Sequence, residues 1–443
     1  MENSLFEPLI KEGLTTLKIR YDWKTDKARL YAAKEWDEKQ NWASYNKEFD
    51  TESLLTDNHR YLNQTEVRNI FLKYNLESYL DEVINLLRKG RHIGMDCFYY
   101  KNKDIRFMSN MHNSICGLNN RSQAVRSGGI RRHELEEEEL EVIVDGLNLA
   151  RAMSHKNVAA DIPYGGSKIT VQSKPVDLAD MNEIGFLAYA LDRTRSFTGP
   201  DMGYPPELAD VMKANFTLNI TGGPKGPMGP TGTPTAYGVY LALKQAAKFK
   251  FGTDILTDKK IAVQGLGALG FPLVEHLLKE KAIITVCDSD VKRIRELKEK
   301  YPDAEIAVVD PKEIYYVDAD VFSPAAIGGI ITEERIPKMK FAIILGGANN
   351  QLKASSKEEE YRLARILHKR GILYQCDWWH NIAGVLAGWE EYTNQQQANL
   401  KNILPKIEHI CIEKTWENLN KAERLSITPT ECAYQTVEEK LYK

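Results

Sequence analysis

Residues 261–270 read IAVQGLGALG, and this run decides the fold of the second half of the chain. Ile261–Gln264 is a short apolar strand, and the FPLVEHLLKEK that follows has the spacing of a helix. Gly265, Gly267 and Gly270 therefore satisfy GxGxxG with a strand before and a helix after, the setting that gives the spacing meaning. The first glycine permits the tight turn, the second lets the backbone approach a pyrophosphate, and the third lets helix and strand pack closely. Ala268 and Leu269 complete the turn, and the helix N-terminus faces phosphate charge. Asp288 closes the next strand, AIITVCD, about 20 residues beyond the first glycine, where an acid accepts hydrogen bonds from ribose hydroxyls and repels a 2′-phosphate. That favours NAD over NADP, although the nearby Lys292 and Arg293 can neutralise a phosphate and weaken the preference.

Outward from this run the same alternation continues. SDVKRIRELKEKY reads as a second helix, and DVFSPAA and FAIILGGAN as further strands. Strands alternating with helices imply a parallel, doubly wound α/β sheet. Upstream, residues 222–232 read GGPKGPMGPTG, too few triplets for a triple helix, and so a constrained loop and hinge. Thr235–Phe249 then forms a helix with small residues on its packing face. Residues 406–443 return to long polar helices. The expected organisation is an N-terminal α/β substrate-binding and oligomerisation domain over 1–221, with 1–100 unassigned. A Rossmann domain over 222–405 and C-terminal helices packing back on the N-terminal domain complete it.

Bulk properties narrow the function. The chain of 443 residues has 43% hydrophobic and 27% charged residues and a net charge of −3, ordinary for a globular protein of two or three domains. Lysine and arginine do not gather in a stripe, so nucleic acid is not an expected partner. No apolar run approaches the ~18 residues of a membrane span, and MENSLFEPLIKEG lacks a signal-peptide pattern. Cys97, Cys116, Cys287, Cys376, Cys411 and Cys432 are scattered without a CxxC pair, which points to free thiols, a cytoplasmic setting and no metal site.

The first hundred residues carry no catalytic motif; Leu76–Arg88 has helical spacing, and Tyr99–Met108 reads as a strand. The acids Glu136–Glu139 suit the first turn of a helix whose apolar face is Leu140, Ile143, Val144 and Leu147. The densest chemistry lies in HKNVAADIPYGGSKITV. Lysines are usually solvated, but Lys156 ends that amphipathic helix, and Lys168 follows Gly165 and Gly166 inside an apolar segment.

GGSK resembles the signature of the glutamate/leucine/phenylalanine/valine dehydrogenase family, a glycine pair and a small residue before the catalytic lysine. In order along the chain, SGGIR resembles the family's substrate-pocket glycine pair, ARAMSHKN its carboxylate-binding helix and GPDMG the segment with its catalytic aspartate. TPTAYGVY, SPAAIGGII, GGANNQL and NIAGV resemble blocks of its cofactor domain, so the likeness spans about 105–400. The resemblance implies two domains with a cleft between them, a homo-oligomer, and NAD-dependent conversion of an L-amino acid to a 2-oxo acid and ammonia. It implies Lys168 and Asp201 as catalytic residues and Lys156 as the carboxylate ligand, beside Gly128 and Gly129. It further implies Asn349 and Asn350 near the nicotinamide and its ribose, and Thr235 on the carboxamide. Two nearby ammonium groups and burial would lower the pKa of Lys168, so that it activates water while Asp201 exchanges a proton with the substrate amine.

Substrate choice in the family rests on a few positions. Glutamate enzymes place a lysine where this chain has Ser127 and a serine where it has Gly388. An unpartnered buried carboxylate is costly, so glutamate is disfavoured unless Arg126 substitutes. Two small residues beside the apolar Val385 make room for a bulky apolar or aromatic side chain. Trp378, Trp379 and His380 either line that pocket or fill space, and Ile169–Thr170 stand where many relatives have a glycine. The competing readings are a glutamate enzyme and a non-catalytic relative on the same fold. A 2-hydroxy-acid dehydrogenase lacks support, because His155 has no evident acidic partner.

Overall fold

The computed structural model describes residues 3–45, 60–114, 124–354 and 356–442, and Cys116 lies outside them. The chain forms two compact units, one of residues 1–229 and 388–398, the other of 230–387 and 399–443. The passage from Gly229 to Pro230 falls within the Gly-Pro segment.

The first unit runs α1 (Phe6–Glu12), β1 (Thr16–Asp22), β2 (Lys27–Ala33), α2 (Gln64–Lys73), α3 (Glu77–Lys89), β3 (Gly94–Tyr100) and β4 (Ile105–Met111). It continues β5 (Arg126–Ser127), β6 (Ile130–His133), α4 (Glu139–Ala159), β7 (Gly165–Gln172), α5 (Met181–Arg193), β8 (Ser196–Phe197) and α6 (Glu207–Asn215). Its sheet has the order β2-β1-β3-β4-β7-β5-β8, with β6 also paired to β7. Side-chain alternation divides the strands between two cores. Leu17, Ile19, Met95, Cys97 and Met108 meet α1, α3 and the Val142–Leu147 face of α4. Phe98, Phe107, Ile169 and Val171 meet α5, Trp36 and Trp42 on the other side. Covered on both faces, β7 is buried along its whole length.

Several expectations are corrected here. Tyr99–Met108 is not one strand but the facing ends of the antiparallel β3–β4 hairpin. The break comes at Asp104, whose φ of 47° suits a turn. Glu139 does open the first turn of α4, but the helix dipole is not its only partner. It is buried and accepts hydrogen bonds from Leu5 N (2.6 Å), Ser4 Oγ (2.5 Å) and the Tyr79 hydroxyl (3.1 Å), tying the N-terminal segment to α4. Ile169 and Thr170 continue a regular strand, so no loop is disturbed there.

The second unit runs α7 (Gly232–Phe251), β9 (Lys260–Gln264), α8 (Gly270–Lys279), β10 (Ile283–Cys287), α9 (Val291–Lys300), β11 (Ile306–Val308), β12 (Val321–Pro324), β13 (Ile343–Ile344), α10 (Lys357–Lys369) and β14 (Leu373–Tyr374). The helix α11 (Ala383–Asn394) follows, its residues from Gly388 onward counted with the first unit, and then α12 (Leu400–Glu408), α13 (Thr415–Leu425) and α14 (Pro429–Leu441). Its sheet is wholly parallel in the order β11-β10-β9-β12-β13-β14, the doubly wound arrangement expected from the alternation. The C-terminal helices have partners within this unit. The structure counts 399–443 with this unit, where α12 and α13 contact α7 and α14 contacts α10 and β14. Their amphipathic faces find the apolar residues of the sheet-covering helices within their own unit.

Candidate active site

Lys168 lies on β7 with its side chain on the α4 side of the sheet, 5% exposed. Its amine makes an ion pair with Oδ2 of Asp201, which follows β8. The Asp201 backbone is anchored as well, its N–H donating to Ile130 O at 2.9 Å. Gly129 opens the space for this pair. An added Cβ there would stand 2.7 Å from Lys168 Nζ and 3.5 Å from Asp201 Cβ. Gly128 serves backbone packing instead, since its Cβ would meet Ser167 O at 2.0 Å.

Two partners of this pair were not read from the sequence. Arg131 on β6 donates to the Asp201 carboxylate from Nε (3.2 Å) and Nη2 (3.0 Å) and to Asp145 on α4 from Nη1 (2.9 and 3.1 Å). Asp145 in turn lies 3.5 Å from His133 Nε2. Burial pushes the Lys168 amine below its ordinary range, more than its pairing with Asp201 restores, and the Arg131 guanidinium adds to the depression. Arg131 is thus a cation acting on Lys168 that the sequence did not suggest. Burial alone would raise the Asp201 carboxyl, but the charge and hydrogen bond of Lys168, with Arg131 behind them, outweigh it and hold it at about 2.

Lys156 lies half-buried in the last turn of α4, which packs along β7. Ser127 on β5 is buried and shares hydrogen bonds with the Asn157 amide, which also donates to Gly165 O at 2.8 Å. Arg126, its neighbour, turns away: its guanidinium binds Thr194 O and Ser114 Oγ. It is therefore committed and is not placed as a substitute partner for a substrate carboxylate.

Ser127 pairs in register with Phe197 on β8. Phe197 stacks on Tyr392 with ring centroids 4.4 Å apart and meets Tyr164 edge-on at 5.1 Å. Gly388 looks onto the same ring: its Cβ would have only Thr221 Oγ1 (3.5 Å) and the Phe197 ring (3.9 Å) as neighbours. The two small residues singled out in the sequence thus border one aromatic wall. Val385, three residues earlier on α11, is half-buried. Trp378, Trp379 and His380 are interior to the second unit. Trp378 packs edge-on against Tyr434 at 5.1 Å, and His380 Nε2 is 2.9 Å from Gly346 O. They fill its core.

The glycine turn after β9 fits a dinucleotide. Gly265 has a φ of 92°, and its Cβ would strike Ala326 Cβ at 2.5 Å; a Cβ on Gly270 would lie 1.9 Å from Gly265 O. Gly267 by contrast faces open space, with only Arg293 Nη1 within reach at 3.3 Å, the cradle a pyrophosphate needs. Ala268 is exposed and Leu269 packs toward Gly347. Asp288 accepts from Leu266 N (2.6 Å) and Asp290 N (2.7 Å), leaving one lone pair on each oxygen, with Arg293 Nη1 3.8 Å away. The Thr235 hydroxyl donates to Thr231 O at 2.7 Å and so can only accept from a ligand amide. Asn349 and Asn350 are exposed beyond β13, Asn349 taking a hydrogen bond from Asn381 Nδ2 (2.9 Å) and Asn350 holding a φ of 52°.

Five cysteines are buried and free, and among the described residues no group of His, Cys, Asp or Glu is arranged to hold a metal. No helix among them is long and apolar enough to cross a membrane.

Comparison with known proteins adds an independent line. The model of the glutamate/leucine/phenylalanine/valine dehydrogenase family matches residues 230–442. The phenylalanine dehydrogenase of Caldalkalibacillus thermarum is 35% identical over 357 residues, 77% of this chain and 92% of that one. The leucine dehydrogenase of Geobacillus stearothermophilus is 34% identical over 325 residues, 71% and 83% of the two chains. Among solved structures, L-tryptophan dehydrogenase from Nostoc punctiforme superposes with a TM-score of 0.68 at 26% identity, covering 81% of this chain and 98% of that one.

Proposed function

Since the chain belongs to the glutamate/leucine/phenylalanine/valine dehydrogenase family, we propose that it catalyses the reversible, NAD-dependent oxidative deamination of an L-amino acid with a bulky apolar or aromatic side chain. It is an oxidoreductase acting on CH–NH2 donors with a nicotinamide cofactor. The observation that carries the mechanism is the buried Lys168–Asp201 pair, cleared by Gly129.

Lys156 pairs with the substrate carboxylate. Asp201, held ionised, takes a proton from the substrate ammonium and leaves the free amine. The chemistry supplied by bound NAD is acceptance of the hydride from Cα, which leaves the substrate as an iminium. Lys168 in its neutral form removes a proton from the water that attacks this carbon, giving a carbinolamine. Asp201 returns its proton to the nitrogen, the C–N bond breaks to release ammonia, and Asp201 takes the hydroxyl proton as the carbonyl of the 2-oxo acid forms; the protons left on Lys168 and Asp201 pass to solvent and to the departing ammonia. Gly267 at the turn, with Asn349, Asn350 and Thr235, would hold the cofactor, and Asp288 would accept the ribose hydroxyls. The free acceptor capacity of Asp288 supports NAD; Arg293 beside it is the feature that favours NADP.

The Phe197–Tyr392–Tyr164 wall beside Ser127 and Gly388 supports an apolar or aromatic side chain, and the relatives named above act on phenylalanine, leucine and tryptophan. Burial of every described cysteine as a free thiol supports a cytoplasmic enzyme, and a homo-oligomer is the assembly in view. The test is to offer purified protein NAD or NADP with each proteinogenic L-amino acid and follow the absorbance of the reduced cofactor. Preference for glutamate over Leu, Phe and Trp would overturn the substrate class, and turnover surviving Lys168→Ala would overturn the roles.

A further inference from the structure

We propose that Arg131 is a positioning residue of the reaction: clamped between Asp201 and Asp145, it fixes the Asp201 carboxylate against Lys168 and, with Asp145, sets the charge that the Lys168 amine experiences. The inference rests on the roles proposed above for Lys168 and Asp201.

The geometry is specific. The guanidinium uses its Nε and Nη2 on Asp201 and its Nη1 on Asp145, so three of its nitrogens are engaged by two carboxylates from different elements. Both donors to Asp201 converge on Oδ2, the oxygen that Lys168 also binds, so the planar guanidinium fixes where that oxygen stands and the direction from which it is held, which a single ammonium cannot do. Arg131 is itself held in place by the pairing of β6 with β7, where it lies opposite Thr170, two residues from Lys168. The Asp201 backbone is tied to β6 as well, through Ile130 O. Catalytic lysine, catalytic aspartate and arginine are therefore referenced to one pair of adjacent strands.

The charges facing this site come from four elements of the chain. On β7 stands Lys168; after β8, Asp201; on β6, Arg131; and on α4, Asp145, which His133 and Glu137 approach from the far side, with His133 Nδ1 2.8 Å from Glu137 Oε2. Arg131 disfavours a proton on Lys168, and Asp145 favours it. Each of the two is balanced by the other, so removing either alone unmasks its partner. The consequences have opposite signs. Loss of Asp145 leaves an uncompensated cation near Lys168 and makes the amine harder to protonate. Loss of Arg131 leaves two carboxylates near it and makes it easier to protonate. A merely structural role gives no such opposition.

The experiment is the pH profile of kcat/KM for oxidative deamination in the native enzyme, Asp145→Asn, Arg131→Met and Arg131→Lys, each checked for folding by circular dichroism. The acid limb, which reports protonation of Lys168, should move to lower pH in Asp145→Asn and to higher pH in Arg131→Met, each by ~0.5 pH units or more. In Arg131→Met kcat should also fall on the order of 10- to 100-fold with KM much less affected. Arg131→Lys should restore the position of the acid limb but not kcat, since it returns the charge without the fork. The same titration is read without turnover from the Cε resonance of selectively labelled Lys168, identified by its loss in Lys168→Arg. If the native protein deaminates no amino acid, the functional reading fails, and the resonance still tests Arg131. Acid limb and resonance unmoved in Asp145→Asn, or moved in the same direction in both variants, would overturn the proposal. Asp145→Asn alone suffices should Arg131→Met not fold, because Asp145 is one-third exposed on α4.

Discussion

A Cβ atom on Gly129 would stand 2.7 Å from the amine nitrogen of Lys168, nearer than two unbonded atoms of these kinds settle. The glycine is therefore the space in which the amine and Asp201 meet. Gly129→Ala should displace the amine, the movable partner, and lower kcat on the order of 10- to 100-fold with little change in melting temperature. Gly128→Ala should do the reverse. Its Cβ would lie 2.0 Å from a backbone carbonyl that cannot swing aside, so stability should fall by about 3 kcal/mol. Steady-state kinetics and thermal melts of the two variants separate these effects; equal damage to both quantities in both variants would contradict the assignment.

The aromatic wall gives a second expectation. Gly388→Leu adds a branched side chain toward the Phe197 ring and Thr221, into space the glycine leaves open. The pocket shortens, and kcat/KM for Phe and Trp should fall relative to that for Val by about 10- to 100-fold. Ratios of kcat/KM measured with these three substrates check it. An unchanged ratio would mean that the substrate side chain lies elsewhere.

What could be read without coordinates was what is local. GLGALG and GGSK carry their meaning within a few residues, because a tight turn or a strand end needs particular side chains at adjacent positions. Arg131 and Asp145 were missed because they come from different elements, and only the docking of α4 on the sheet brings them together. Phe197 was missed for the same reason: it reaches Ser127 by strand register and Gly388 by tertiary packing. β11 and β14, of three and two residues, are too short to show a period. The C-terminal helices show in their sequence that they bury a face but not which surface they bury it against. The first-turn position of Glu139 was legible, but its hydrogen-bond partners were not, because they lie more than fifty residues away.

The cofactor site yields a third prediction. Asp288 does two jobs, accepting the N–H groups of Leu266 and Asp290 and keeping one lone pair on each oxygen for a ribose. Asp288→Ala removes both and releases Arg293 from the carboxylate 3.8 Å away. The KM for NAD should rise roughly tenfold, and the ratio of NADP to NAD efficiency should rise with it, because an unneutralised guanidinium attracts a 2′-phosphate. Kinetics with both cofactors decide the matter. If discrimination between them is unaltered, Asp288 serves the turn alone.

A last prediction concerns acid. The rings of His92 and His112 meet edge-on with centroids 4.9 Å apart in the interior of the first unit. Burial holds both neutral: His92 is pushed down to about 4, and His112 is likewise held well below the ordinary value, with the neighbouring His92 and His155 adding to the effect. In the unfolded chain both titrate near 6.5, so below that pH the unfolded state takes up protons that the folded state refuses. The stability tied to these residues is thus complete above about pH 6.5 and is lost as pH falls toward 4. Asp201, held at about 2, loses its contribution as pH falls through the ordinary aspartate range toward 2, at the acid end of this window and below it. His92→Gln keeps a donor for Leu147 O, which His92 Nε2 contacts at 2.8 Å, but removes one titration. The slope of unfolding free energy against pH between 6.5 and 4 should then flatten by about 1.4 kcal/mol per pH unit, one proton's worth. Denaturant melts at constant protein concentration across that range measure it. A slope identical to that of the native protein would mean that His92 becomes protonated within the fold.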